Sequence, residues 1–126
     1  MRLIIVDDHA IVRKGLIQIL TMEETLPLSD IDEAESAPEL FSKLREKNYD
    51  LVILDISMPG RDGLDILKEL KTDYPKLPVL MLSTFSEDQY AVRSLKAGAA
   101  GYIRKSRDPG ELVNAIKAVY SGRKYF

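Results

Sequence analysis

Four places in this 126-residue sequence carry side chains that could do chemistry together: the pair Asp7-Asp8, then Asp55, Ser83 and Lys105. Each closes a short apolar run, namely Leu3–Val6, Leu51–Leu54, Val79–Leu82 and Ala99–Ile103. Taken singly, each has a plain structural reading. An Asp pair caps a helix, Asp55 is a polar strand end, Ser83 is a turn hydroxyl and Lys105 is a solvated cation. Their recurrence at the ends of successive runs points instead to one shared site. Three carboxylates at one point repel each other, and unmatched they would protonate or weaken the fold. Lys105 supplies one positive charge and a divalent cation would supply the rest. With no Cys and a single His, His9, a soft metal fits poorly. Mg²⁺, which takes oxygen ligands from one or two carboxylates plus a phosphate, fits well. In such a setting Asp55 is a nucleophile toward a phosphoryl group, giving an aspartyl phosphate. Lys105 and Mg²⁺ would neutralise the phosphoryl oxygens, and Ser83 would donate a hydrogen bond to one of them.

The elements that must gather these residues are legible in outline. The apolar runs are apolar at consecutive positions, as strands buried on both faces are in a parallel sheet covered by helices. A weaker strand near Ile31–Ala34, flanked by Asp30 and carrying Asp32 and Glu33, suits an edge. Helix signals lie between the runs. Ser36-Ala37-Pro38-Glu39 and Ser86-Glu87-Asp88-Gln89 read as capping boxes. The first precedes an apolar face of Leu40, Phe41 and Leu44, the second Val92 and Leu95. Asp62-Gly63 opens Leu64–Leu70, and Asp108-Pro109-Gly110-Glu111 combines an N-cap with Pro at the first helical position. The helix after Asp8 carries Ile11, Val12, Leu16, Ile19 and Leu20, and Gly98 and Gly122 stand where helices stop. The longest irregular loop is Thr21–Asp30. A β-α unit repeated five times predicts an α/β fold, (βα)5, with a doubly wound parallel five-stranded sheet. Ligands of such sheets bind beyond the carboxyl ends of the strands.

Composition bounds the rest. Eighteen Lys plus Arg against twenty Asp plus Glu leave a net charge of −2. The chain is read as one domain over residues 1–126. The balance gives no electrostatic footprint for nucleic acid. No apolar run approaches the ~20 residues that span a bilayer, and Leu3–Val6 is too short for a signal peptide. The expected place is the cytoplasm, with no membrane contact.

The set Asp7-Asp8, Asp55, Ser83 and Lys105 resembles the receiver domain of bacterial two-component response regulators. Asp55-Ile56-Ser57-Met58-Pro59-Gly60-Arg61-Asp62-Gly63 resembles the phosphoacceptor strand and its loop, and Ala97–Lys105 the fifth-strand region. The Asp7-Asp8-His9 opening and the closing Ala115–Phe126 stretch look more narrowly like the LuxR-type (NarL/FixJ-like) subgroup, transcription regulators with a C-terminal helix-turn-helix domain. The resemblance implies the flavodoxin-like strand order 2-1-3-4-5. It implies that Asp8 contacts Mg²⁺ directly and Asp7 through water, that Asp55 binds the metal and accepts phosphate from a sensor histidine kinase, and that the Ser57 backbone carbonyl completes the protein ligands. Ser83 and Tyr102 would form a switch pair that reshapes the surface of the fourth helix, fifth strand and fifth helix. A homodimer formed on phosphorylation is a further partner, and DNA would be bound through a separate C-terminal domain.

Several residues depart from the common pattern or stand outside it. Ser106 follows Lys105 where receivers commonly place Pro, which leaves the isomer of that peptide open. Ser83 replaces the commoner Thr and keeps the hydroxyl. Phe85 is bulky beside the site and is expected to limit water access and slow phosphate loss. Tyr102 reads equally as a permanently packed strand aromatic. His9 reads as capping or packing near the site, and Met22, Met58 and Met81 as core or loop filler. The Arg13-Lys14 and Arg104-Lys105 pairs are too sparse for nucleic acid. Val113, Ile116 and Tyr120 form a mostly core stripe whose edge, with Tyr120, is a candidate dimer contact.

Three other functions compete with a phosphorylation switch. A Mg²⁺-dependent phosphatase with an Asp nucleophile resembles the haloacid-dehalogenase type, which carries a second Asp two residues later; here that position is Ser57. A flavin-binding module needs a phosphate loop after the first strand, where Asp7-Asp8 would repel phosphate. A receiver-like scaffold that is never phosphorylated has no need of the full acidic set. The switch is therefore not expected to be an enzyme beyond its own phosphotransfer and autodephosphorylation.

Overall fold

A computed structural model describes residues 1–58, 60–83, 88–105 and 108–126. The order is β1 (Arg2–Val6), α1 (Ala10–Thr21), β2 (Asp30–Ala34), α2 (Ala37–Glu46), β3 (Leu51–Asp55), α3 (Gly63–Asp73), β4 (Val79–Ser83), α4 (Asp88–Lys96), β5 (Gly101–Arg104) and α5 (Pro109–Tyr120). The strands form one parallel sheet in the order β2-β1-β3-β4-β5, as expected. The order reverses at β1 and β3, whose carboxyl ends are Val6 and Asp55. A crevice for ligands opens at that reversal in sheets of this kind.

Alternation along the strands divides the apolar residues between two cores. Ile4, Val6, Val52, Leu54 and Met81 face α2 and α3, while Leu3, Ile5, Ile53, Leu80 and Leu82 face α1 and α5. β1, β3 and β4 are buried along nearly their whole length because helices cover both sides. β2 is half-exposed and has only β1 as a neighbour, which is the edge position its acidic residues suggested.

The helix starts follow their caps. The Ser36 hydroxyl accepts from the Glu39 amide (3.2 Å), the Asp62 carboxylate from Leu64 (2.9 Å) and the Asp108 carboxylate from Gly110 (2.9 Å). The return arm of the first box differs from expectation, since the Glu39 carboxylate accepts from the Glu35 amide rather than from Ser36. Gly98 and Gly122 end helices with φ of 98° and 91°, values that favour glycine. The second capping box falls partly on residues outside those described, as do Phe85 and the Lys105–Ser106 peptide.

Other expectations are corrected. The fifth strand starts at Gly101, not Ala99, because the Ala99 amide is drawn back to the Ser94 carbonyl at the end of α4. Ile11 on α1 and Val92 and Leu95 on α4 are exposed, while Tyr120 stands exposed at the edge of its stripe on α5. The helical spacing is correct, but Ile11, Val92 and Leu95 lie on sides that no neighbouring element among the described residues covers.

Candidate functional site

The sheet brings the carboxyl ends of β1, β3, β4 and β5 together, and with them Asp7, Asp8, Asp55, Ser83 and Lys105. Asp7 leaves β1 still paired to β2, its amide donating to the Ala34 carbonyl at 3.1 Å. Neither Asp caps α1. The N-cap is His9, and its side chain makes no cap hydrogen bond. Asp7 instead turns inward, with its side chain 1% exposed. One of its oxygens accepts from the His9 amide at 2.8 Å and the other from Lys105 Nζ at 2.8 Å.

Asp55 is the last residue of β3, and its side chain is 2% exposed. Its Oδ1 accepts from the Ser57 amide at 3.1 Å, and its Oδ2 lies 3.0 Å from Lys105 Nζ. The loop after it folds back through an antiparallel bridge between Ser57 and Asp62, and the Gly63 amide donates to the Ile56 carbonyl at 2.9 Å. Gly63 has no substitute there: a Cβ would sit 2.6 Å from the Asp55 carbonyl oxygen and from Ile56 Cα. The start of α3 is thus pressed directly against the end of β3.

Lys105 follows β5, and its amide donates to the Ser83 carbonyl at 2.8 Å. That bond aims the side chain across the sheet ends, where it pairs with Asp7 and Asp55 at once. It is 15% exposed, so the reading of a solvated lysine is replaced by that of an internal counter-ion. Ser83 is fully buried at the end of β4. Tyr102 is half-buried and packs against the core on the α2–α3 side.

The charges of the pocket do not balance. Ligand-capable atoms of Asp7, Asp8, His9 and Asp55 lie within 4.8 Å of one another, and among the described residues Lys105 is the cation paired with their carboxylates. Burial pushes the Asp55 carboxyl above its ordinary range, although the Ser57 amide and Lys105 both favour its charged form. Burial works to lower the Lys105 pKa, but its contacts with Asp7 and Asp55 outweigh that and raise it. Two buried oxygens are left over. Asp8 Oδ1, 3.1 Å from His9 Nδ1, and Asp55 Oδ2, 3.0 Å from Lys105 Nζ, are not aligned to accept a hydrogen bond. Converging oxygen acceptors with excess negative charge and no soft donor fit a hard divalent cation. Asp7 differs from them in that both of its oxygens already have donors.

One contact was not foreseen. Arg13, set aside as part of a sparse basic pair, is 11% exposed at its side chain and reaches the Asp7 carbonyl and the Glu33 carboxylate. The available signal was its place on the first turn of the helix that follows the Asp pair.

Comparison with known proteins agrees with this arrangement. The family model described as "Response regulator receiver domain" matches residues 3–117. The chain is 36% identical over 125 residues to the response regulator GacA of Pseudomonas viridiflava, covering 99% of this chain and 58% of that protein. It thus spans little more than half the length of that relative. A crystal structure of a LuxR-family two-component response regulator from Aurantimonas sp. SI85-9A1 superposes with a TM-score of 0.89 at 33% identity, covering 99% of this chain and 88% of that one. The isolated receiver domain of RcsB from Salmonella enterica serovar Typhimurium, solved in the presence of the phosphomimetic BeF3⁻, superposes with a TM-score of 0.87 at 29% identity, covering 98% and 91%. With a full set of acidic residues at the switch point of a 2-1-3-4-5 sheet and a family match over nearly its whole length, the chain belongs to the response regulator receiver domains of two-component signalling, on the LuxR-type (NarL/FixJ-like) branch.

Proposed function

We propose that this chain is a phosphorylation-activated switch that accepts a phosphoryl group on Asp55. The observation that carries this reading is the pair of buried, unaligned oxygens, one on Asp8 beside His9 and one on Asp55 beside the ammonium of Lys105. Asp8 and Asp55 would hold Mg²⁺ directly, Asp7 through water, and Ser57 through its backbone carbonyl. Asp7 fits the indirect role because Lys105 and the His9 amide already occupy its oxygens. When bound, Mg²⁺ supplies positive charge to the phosphoryl oxygens.

The chain's own residues do the rest. An Asp55 carboxylate oxygen attacks phosphorus and forms the O–P bond. The P–N bond to a phosphohistidine of a sensor kinase breaks, and the imidazole leaves with the electron pair. The Ser57 amide holds the other Asp55 oxygen in place, and burial keeps the carboxylate poorly solvated. Lys105 moves from pairing with Asp55 to pairing with the phosphoryl oxygens, while Asp7 keeps its Nζ anchored. The Ser83 hydroxyl donates to a phosphoryl oxygen and Tyr102 turns inward behind it. The output surface is that of α4, β5 and α5, where Val92, Leu95 and Tyr120 are already exposed. Residues 1–126 form the receiver module of a cytoplasmic regulator. Transcription would be controlled through a separate helix-turn-helix domain, in keeping with the greater length of GacA.

The test is incubation with Mg²⁺ and acetyl phosphate, followed by intact mass measurement. One added phosphoryl group is expected, with none in Asp55→Asn or in EDTA. An unmodified wild-type chain, or turnover of many phosphate esters, would overturn the switch in favour of a scaffold or a phosphatase.

A further inference from the structure

The sequence places Arg13 on the first turn of α1, seven residues before the buried Leu20. The structure turns it back under the acidic corner. Its Nη1 donates to the Asp7 main-chain carbonyl, and its Nε donates to Glu33 Oε1 at 2.9 Å. Glu33 is held in turn by Lys14, whose Nζ lies 2.7 Å from Oε2, and its main-chain carbonyl accepts from Lys43. The guanidinium therefore ties three elements at one point: the end of β1, the first turn of α1 and the edge strand β2. Its hydrogen bond falls on the carbonyl of the peptide that joins Asp7 to Asp8. That peptide sets where both carboxylates point. The planar fork offers its two donors to both partners at a fixed spacing, a geometry that the single nitrogen of a lysine does not reproduce.

We propose that Arg13 is a positioning residue for the metal corner: it fixes the Asp7–Asp8 peptide so that Asp8 and Asp55 present their oxygens to one divalent cation. The proposal rests on the Mg²⁺-dependent reading of the site. Charge and geometry predict opposite signs for its removal. A cation next to a cation site repels the incoming ion, so by charge alone deleting Arg13 tightens Mg²⁺ binding. If Arg13 acts through the Asp7 carbonyl, deleting it loosens the corner and weakens binding, as losses of outer-sphere partners of metal ligands do by about 10–100-fold.

The experiment is calorimetric titration of the unphosphorylated full chain with Mg²⁺ alone, for wild type, Arg13→Gln and Arg13→Lys, at a temperature where urea melts show each to be folded. About ten-fold weaker binding is expected in both variants, with the Asp8 and His9 amide resonances displaced. Unchanged or tighter binding in Arg13→Gln overturns the proposal. So does full recovery in Arg13→Lys, which would show that the two-donor fork is not what holds the corner. If Arg13→Gln does not fold, Arg13→Lys alone decides. A wild-type chain that binds no Mg²⁺ ends both this proposal and the reading beneath it. Weaker Mg²⁺ binding in the variants, with no phosphoryl uptake by wild type, ends the switch reading and leaves Arg13's role standing.

Discussion

Asp55 is a carboxylate with only 2% of its side chain exposed, and holding it there has a cost in stability. Its folded-state pKa lies above the ordinary value, chiefly through burial. The folded chain thus binds that proton more tightly than the unfolded chain, and stability from this group is lost as pH rises through the raised pKa. Asp55→Asn removes the buried charge and keeps the shape. Urea denaturation without Mg²⁺ is expected to show the variant more stable than wild type at neutral pH. The gap should narrow as the pH falls toward the ordinary carboxylate range. Lys105 has the opposite character. Replacing it with Met leaves Asp7 and Asp55 facing each other without their shared ammonium. A loss of about 3 kcal/mol is expected in the same assay, the scale for removing one partner of a buried pair. Added Mg²⁺ should recover part of it.

The elements hold these side chains through a few local devices, several of which were readable. Ser36, Asp62 and Asp108 announce helix starts because a short acceptor side chain before an apolar run satisfies otherwise unpaired amides. Ser36→Ala, which removes one cap hydrogen bond and none of the site's contacts, is expected to cost about 1 kcal/mol in a thermal melt and leave phosphoryl uptake unchanged. Gly63→Ala should behave differently. Its Cβ would meet the backbone of Asp55 and Ile56, and overpacking of this kind costs about 1–3 kcal/mol. It should slow phosphorylation as well, because the atoms it pushes carry Asp55, the proposed phosphoacceptor. A Gly63→Ala chain phosphorylated at the wild-type rate would show that the β3–α3 contact does not position Asp55. Periodicity misled at Ile11, Val92 and Leu95, which are apolar at helical spacing yet exposed. Spacing says which side chains share a side of a helix, but not whether another element covers that side.

At the scale of the molecule, two apolar cores pack on either side of one sheet, and the acidic corner is a local concentration of carboxylates at the carboxyl ends of its strands. A ligand that binds only the folded state stabilises it by mass action, by about 2.7 kcal/mol at a hundred times its dissociation constant. Saturating Mg²⁺ is therefore expected to raise the melting temperature of wild type by several degrees. The rise should be smaller in Asp8→Asn and absent at matched ionic strength with Na⁺. An equal rise with Na⁺ would reduce the effect to screening.

No helix of the described residues is long and apolar enough to cross a membrane. The order of strands and helices, the buried strands and the five chemical residues all follow from the chain itself. Burial on both faces leaves continuous apolar runs, caps punctuate helices, and right-handed crossovers send strand ends to one side. Folding alone decided which of the acidic oxygens keep donors and which do not. It also turned Lys105 inward and Arg13 back beneath Asp7. Those outcomes depend on distances between residues far apart in the chain, such as the 2.8 Å between Lys105 and Asp7, and local spacing carries no information about contacts of that range.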